Sequence, residues 1–236
     1  MFWLSIDHDG QGIVYMGAGY QARRISTPAI EFALSQYATL SDAVGMVFLQ
    51  AGHTFYVLSF PTADATWVFD MGESMWSQWT WTDSDGIAHR HRTQVMQLAY
   101  GVVLGGDWQN GALCELQQGL QTDFLGPIVY ERAMPHLVLG LNRVTYDRFV
   151  LDVQCGEGIP EDPTLAPQVS LSVSDTRGKT YWQAPTQSLG RTGEYYALPQ
   201  WWQLGMARDR VFLVSWSDPV VTALNGAYAM ITLSGT

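Results

Sequence analysis

From Gly52 to Trp81 (GHTFYVLSFPTADATWVFDMGESMWSQWTW) three short runs alternate aromatic or β-branched residues with smaller or polar ones: Phe55–Phe60, Thr66–Asp70 and Trp76–Trp81. In the middle run Trp67 and Phe69 share one face, against Thr66, Val68 and Asp70 on the other, and Trp79 and Trp81 repeat the pattern in the third. Period-two alternation between turn signals predicts antiparallel strands. The separators, Pro61–Ala65 and Met71–Ser74 with Gly72, have hairpin length, so the strands form a meander of sequence neighbours.

The same reading extends along the chain. Phe2–Ile6 and Ile13–Met16 are predicted strands joined by the turn DHDGQG. A chain that opens inside a hairpin lacks the usual frayed lead-in, which leads us to expect a segment cut from something longer. One helix is expected. Thr27 can cap it, Pro28 suits its first position, and Ile30, Ala33, Leu34 and Tyr37 then fall on one face, so it packs on a sheet. Met46–Leu49 precedes the aromatic meander. Gln94–Leu98, Gly101–Leu104 and Leu113–Leu116 extend it, with Gly105-Gly106-Asp107 and Gln109-Asn110-Gly111 predicted as turns.

Two units of roughly 40 residues emerge, near 45–81 and 89–118, close to the blade period of β-propellers. At that period residues 1–134 supply about three blades, whereas propellers close with about four to eight. An unclosed set leaves sheet edges that tend to recruit another copy, so the chain is expected to self-associate. After Pro135 the links lengthen and become rich in Gly and Pro, GEGIPEDPTLAP being the longest. Arg148–Gln154, Gln168–Val173, Thr180–Gln183, Gly193–Leu198, Arg210–Ser215 and Ala227–Leu233 read as strands of a small antiparallel sandwich. The expected fold class is therefore all-β: a partial β-propeller of antiparallel blades with one short helix over 1–134, then a β-sandwich-like domain over 135–236.

Composition narrows the function. Hydrophobic residues make up 47% and aromatics 13%, too much for a disordered chain. Ten Trp and eleven Tyr stand against only twelve Lys plus Arg, so exposed rings must carry part of the surface, as they do where partners cover it. A net charge of −10 argues against binding nucleic acid by neutralising phosphates, although an acidic wall suits a channel through which DNA slides. Cys114 and Cys155 form no framework and read as two reduced thiols. MFWLSIDHDG has neither the basic n-region nor the apolar core of a signal peptide, and no apolar run approaches membrane-spanning length.

Candidate chemistry is sparse. Asp7–Gly12 could open a calcium loop, but Ala18 stands where the bidentate Glu belongs, so it reads as a hairpin turn with Gly at positive φ; Asp83-Ser84-Asp85-Gly86 reads the same way. His89 and His91 share a strand face without further ligands nearby, so no metal is expected. Asp70, Glu73, Asp107 and Glu115 are candidate carboxylates for glycoside hydrolysis, yet nothing in their spacing selects a pair. No nucleophile elbow, phosphate-binding loop or zinc-protease motif occurs. Neither catalysis nor a cofactor is expected. Arg23 and Arg24 are candidate interface contacts for a carboxylate or phosphate, although strand alternation points them to opposite faces. Trp201 and Trp202 are a second pair, equally suited to core packing and to a contact surface.

GYQARRISTPAIEFAL, GHTFYVLSFP with TWVFD and WSQWTW, and QSLGRTGEY with LGMARDRVFLVSWSDPV resemble the packaged-DNA stabilisation proteins, the tail-hub or head-closure proteins of short-tailed bacteriophages. The resemblance runs from Phe2 to about Ile231, and family members carry a further N-terminal portion. It implies a β-propeller-type virion structural protein, six copies of which close the portal channel after DNA packaging. It further implies contacts with a portal adaptor ring, tailspikes and a tail needle, DNA passing through without specific binding, and a place in the virion tail after assembly in the host cytoplasm. No catalytic residues come with it. An alternative from another class is a carbohydrate-binding module that contacts host glycans through exposed Trp and Tyr.

Overall fold

Strand pairing follows sequence order through the first half of the chain. The computed structural model describes residues 1–117, 119–124, 126–160, 162 and 164–233. It divides into two compact units, Met1–Gln118 and Gly119–Thr236.

In the first unit β1 (Phe2–Ile6), β2 (Gly12–Ala18) and β3 (Gln21–Arg24) make one antiparallel sheet. Helix α1 (Pro28–Ser35) follows, its first turn capped by Thr27, whose hydroxyl accepts from the Ile30 N–H at 3.4 Å. β4 (Val44–Gln50), β5 (His53–Phe60), β6 (Ala65–Asp70) and β7 (Met75–Gln78) form the four-stranded aromatic meander. A short pair, β8 (Thr80–Thr82) with β9 (Ala88–Arg90), leads to a three-stranded sheet of β10 (Thr93–Ala99), β11 (Val102–Asp107) and β12 (Leu113–Glu115).

The meander is buried on both faces, which explains its density of apolar residues. Tyr56, Leu58, Phe60 and Phe69 pack with Val14, Ile25, Ile30 and Leu34 from the first sheet and the helix. Val57, Val68 and Phe48 pack on the opposite side with Met96 and Val103 of the third sheet. Each such side chain contributes on the order of 1.5–3 kcal/mol by leaving water. Alternation alone sorts them, since neighbours on a strand point to opposite faces.

Two predicted boundaries fail here. Trp76–Trp81 is not one strand: β7 ends its ladder on β6 with the Trp79 N–H donating to the Thr66 carbonyl at 3.0 Å, and Thr80–Thr82 then pairs with β9. Gly105-Gly106-Asp107 is not a turn but the end of β11. A Cβ on Gly105 would stand 2.0 Å from the Thr93 Cγ2, so glycine serves close approach there rather than reversal.

The second unit begins with a two-residue pair, β13 (Thr122–Asp123) with β14 (Gly126–Pro127). One sheet is then built from β15 (Tyr130–Ala133), β16 (Leu137–Val138), β18 (Gln168–Ser174), β19 (Trp182–Gln183), β20 (Gln187–Ser188) and β23 (Asp209–Trp216). The other holds β17 (Val144–Val153), β21 (Gln200–Trp202), β22 (Met206–Ala207) and β24 (Leu224–Leu233). Inward residues of both, among them Tyr146, Phe149, Leu171, Val173, Trp201 and Phe212, share a single core, as the two faces of a sandwich do. β15 pairs with β23, so Tyr130–Ala133, placed before the expected boundary at 134, pairs within this unit.

β17 organises the sandwich. Val144 and Tyr146 point inward, the register on β24 shifts between Tyr146 and Arg148, and Phe149, Leu151 and Val153 then point inward from odd positions. The bulge at Asp147 thus rephases the core face. Gly193–Leu198, expected as a strand, is instead a pair of turns closed by Glu194 N–H to the Arg191 carbonyl (2.9 Å) and Ala197 N–H to the Glu194 carbonyl (3.3 Å). Of Thr180–Gln183 only Trp182–Gln183 is strand. Of the predicted link 156–167, Glu161 and Pro163 lie outside the described residues. The fold is all-β with one helix.

Candidate interaction surfaces

Arg23 and Arg24 sit on β3 opposite Met16 and Tyr15, and the strand's alternation separates them as expected. Arg24 turns back onto the helix. Its Nε donates to Glu31 Oε1 at 2.7 Å, and its Nη2 bonds Glu31 Oε2. Ser26 Oγ adds a donor to Glu31 Oε1 at 2.6 Å and accepts from the Val14 N–H at 3.1 Å. Glu31 is buried, and the Arg24 hydrogen bond, with help from Ser26 and against the opposing effect of burial, holds its carboxyl below the usual range. The network ties β3, β2 and α1 together, so Arg24 already has an internal carboxylate. Arg23 stays exposed.

The tryptophan pair divides in the same way. Trp201 is 3% exposed, its ring 6.0 Å from Phe149, and its Nε1 donates to the Pro185 carbonyl at 2.5 Å. It belongs to the core and offers no contact surface. Trp202, one residue on, faces outward at 59% exposure. The Arg148 guanidinium lies 4.7 Å over its ring, and Arg148 Nη2 contacts the Met230 sulfur at 2.8 Å. These three residues are cross-strand neighbours on β21, β17 and β24, and Tyr228 extends the face from its pairing with Val150. Sequence inspection missed Arg148, Met230 and Tyr228, because only the sheet register brings positions so far apart onto one face.

Of the carboxylates considered for catalysis, Asp70 and Asp107 are structurally committed. Asp70 meets His53 at 2.7 Å and accepts from the Gly72 N–H at 2.8 Å. Burial raises its pKa, but these bonds and one from the Glu73 N–H outweigh it and keep the carboxyl below the ordinary range, the wrong direction for a general acid. Asp107 is buried against Arg92 and accepts from the Gln109 N–H at 2.9 Å. Glu73 and Glu115 are exposed.

The two histidines of the HRHR run have separate partners. His89 bridges Asp64 (Nδ1, 2.7 Å) and Asp83 (Nε2, 3.2 Å), while His91 Nδ1 accepts from the Thr93 N–H at 3.2 Å. Among the described residues no group of three His, Cys, Asp or Glu side chains is placed to hold a metal. Asp7 and Asp83 each accept from N–H groups two and four residues on, with Gly10 and Gly86 at φ 82° and 80°, so both acidic runs are hairpin turns as read. Cys114 lies on β12 and Cys155 follows β17, where its thiol donates to the Ala197 carbonyl at 3.3 Å.

Antiparallel sheets stacked face to face, the middle one buried on both sides, are packed as the neighbouring blades of a β-propeller are. The model of the family described as "Phage_stabilise: Bacteriophage P22 Gp10, beta-propeller" matches residues 1–121. The chain belongs to this family of phage packaged-DNA stabilisation proteins, and is a phage structural protein associated with the virion. The RIST and GHTFYVLSFP strings fall inside the match, and the C-terminal strings lie beyond it. Among curated proteins none matches. A search of solved structures returned a crystal structure of a glycoside hydrolase family 43 arabinoxylan arabinofuranohydrolase from Bacillus subtilis in complex with cellotetraose. It is 12% identical, with a TM-score of 0.30, over 98% of this chain and 50% of that one. The chain thus spans about half the length of that protein, and the likeness is too low to bear on function.

Proposed function

We propose that this protein is a subunit of the phage tail hub, which closes the portal channel after DNA packaging and retains the genome by protein–protein assembly. The family match over residues 1–121 carries this reading. In it, six copies form the hub, between a portal adaptor ring on one side and tailspikes and a tail needle on the other. DNA passes through without specific binding, consistent with a chain of net charge −10. Catalysis has no part in it.

Exposed tyrosines support an assembly role. Tyr20, Tyr100 and Tyr196 are almost wholly exposed, and Tyr20 and Tyr100 stand at the tips of the β2–β3 and β10–β11 hairpins. Tyrosine at such tips offers the large, stiff, amphipathic contact area that interface anchors use. A nonsense mutation in the gene is the test. Heads should fill with DNA and then lose it, with retention restored by supplying the protein in trans; heads that keep their DNA would sink the proposal. Light scattering should also find the isolated chain self-associating, and a clean monomer at high concentration would count against it.

The outward Trp202 and Tyr228 favour one second reading, a carbohydrate-binding face that stacks on sugar rings. Calorimetric titration with host lipopolysaccharide oligosaccharides separates the two, since only sugar binding predicts heat that disappears on Trp202→Ala.

A further inference from the structure

In a chain of net charge −10, three arginines converge on one open depression of about 400 Å³ in the second unit, lined by Arg143, Arg177 and Arg208. Strand register brings two of them together, and Arg177 reaches the same depression through its bond to Asp209. Val144 pairs with Ala207, so Arg143 just before and Arg208 just after sit side by side at the end of the β17–β22 ladder. Both are exposed, and among the described residues neither is ion-paired. Like charges opposed across a ladder destabilise it. The fold therefore gains nothing from this pair.

The carboxylates of the depression are already matched. Asp175 receives both forks of Arg210, at 2.7 and 3.1 Å. Asp209 receives Arg177 Nε at 3.0 Å and His136 at 2.8 Å. Arg143 and Arg208 are left as unmatched positive charges at the edge of an open, concave site. Two adjacent guanidinium forks fit the planar oxygens of a carboxylate.

We propose that this groove docks an acidic peptide segment of a partner protein, with Arg143 and Arg208 gripping an Asp or Glu carboxylate. A nucleic acid fits less well. Its backbone needs a track of cations, whereas the groove offers two beside Asp175 and Asp209. The proposal draws on the assembly reading only for the source of the partner. Failure of peptide binding leaves the genome-retention test standing.

The experiment uses the full chain and a fluorescein-labelled decapeptide of alternating Glu and Ser, followed by anisotropy at low and physiological salt. The unsubstituted chain should bind, with affinity falling as salt rises. Arg143→Glu with Arg208→Glu should weaken binding by at least about tenfold, the scale of losing a charge-assisted contact. Arg132→Glu with Arg191→Glu makes the same change in net charge elsewhere and should leave binding within about twofold. If the glutamate pair fails to fold by circular dichroism, Arg143→Gln with Arg208→Gln replaces it, with the same expectation. Absence of binding at millimolar peptide overturns the proposal. Equal loss in the control pair, or tighter binding of a labelled oligothymidylate than of the peptide, does so too.

Discussion

Arg210 and Asp175 form a two-pronged ion pair, Nε to Oδ1 at 2.7 Å and Nη2 to Oδ2 at 3.1 Å, although the arginine is only 1% exposed. The third prong, Nη1, donates to the Leu204 carbonyl at 2.7 Å, and the guanidinium lies 4.3 Å over the Tyr146 ring. A buried cation so fully satisfied is costly to orphan. Asp175→Ala should therefore lose about 1–3 kcal/mol, because it leaves the buried guanidinium without its counterpart while the carboxylate end of the pair is already 40% exposed. Arg210→Met removes the charge and keeps most of the volume, so in the Asp175→Ala background it should restore part of that loss. Urea melts of the three variants decide it, and a double variant weaker than Asp175→Ala alone refutes the account.

Gly105 depends on Thr93. A Cβ there would meet Thr93 Cγ2 at 2.0 Å and Leu116 Cδ1 at 3.0 Å, and Thr93 is buried. Gly105→Ala is expected to destabilise by roughly 1–3 kcal/mol through overpacking against a stiff β-branched neighbour. Thr93→Ser removes the offending methyl and should relieve most of that cost in the double variant. Additive losses in denaturant melts would show that the contact is not the cause.

Local patterns were legible and long-range partners were not. Thr27, Pro28 and the apolar face from Ile30 to Tyr37 announced the helix because capping and amphipathicity are short-range. The strands of the meander were equally plain, since alternation survives burial on both faces. Gly105-Gly106-Asp107 looked like a turn because composition cannot reveal that Thr93 crowds Gly105 and Arg92 pairs with Asp107. Tyr195 and Tyr196 gave 193–198 a strand-like look that Gly193, at φ 89°, overrules. Trp79 and Trp81 continue the alternation of the meander, yet Thr80–Thr82 leaves for β9, a choice made by the partner strand. Arg143 and Arg208 stand far apart in sequence and meet only through the β17–β22 register, and Arg177 joins them through its bond to Asp209, so no local signal marked the groove.

Adjacent tryptophans should answer mutation very differently. Trp201→Ala opens a cavity beside Phe149 and orphans the Pro185 carbonyl, and should cost about 3–5 kcal/mol. Trp202→Ala removes an outward ring whose main contact is the Arg148 guanidinium, worth about 0.5–1 kcal/mol at an exposed site. Thermal or urea unfolding would show the contrast, and similar losses at the two positions would contradict the assignment of one to the core and the other to the surface.

Tyr100 tests whether turn-tip tyrosines serve stability or assembly. It lies at φ 53° and is 100% exposed, in a two-residue turn completed by Gly101 at φ 83°. Asparagine tolerates that backbone better than tyrosine, so Tyr100→Asn should stabilise the chain by a few tenths to about 1 kcal/mol. Self-association, followed by light scattering, should weaken in the same variant. A stabilised chain with unchanged association would leave Tyr100 without a role in assembly.

His89 makes the first unit's stability depend on pH. Its ring lies between Asp64 on the β5–β6 turn and Asp83 on the β8–β9 turn, and holds both only when each nitrogen carries a proton. The bond to Asp64 first, then that to Asp83, raises its pKa above the ordinary 6.5, with burial opposing weakly. Asp83 is correspondingly lowered, chiefly by the Ile87 N–H and further by His89. A raised folded-state pKa means that folding takes up the proton more tightly, so the contribution is complete below about pH 6.5 and fades as pH climbs through the folded value. The carboxylates set the other limit, because protonating Asp83 removes the partner at strongly acid pH. Urea midpoints of the unsubstituted chain and His89→Gln should therefore differ most near pH 5 to 6 and draw together as pH climbs through the raised folded value. Taking the difference between the two proteins cancels the groups they share. A gap that stays constant, or widens toward alkaline pH, would show that the ring acts through packing rather than through its proton.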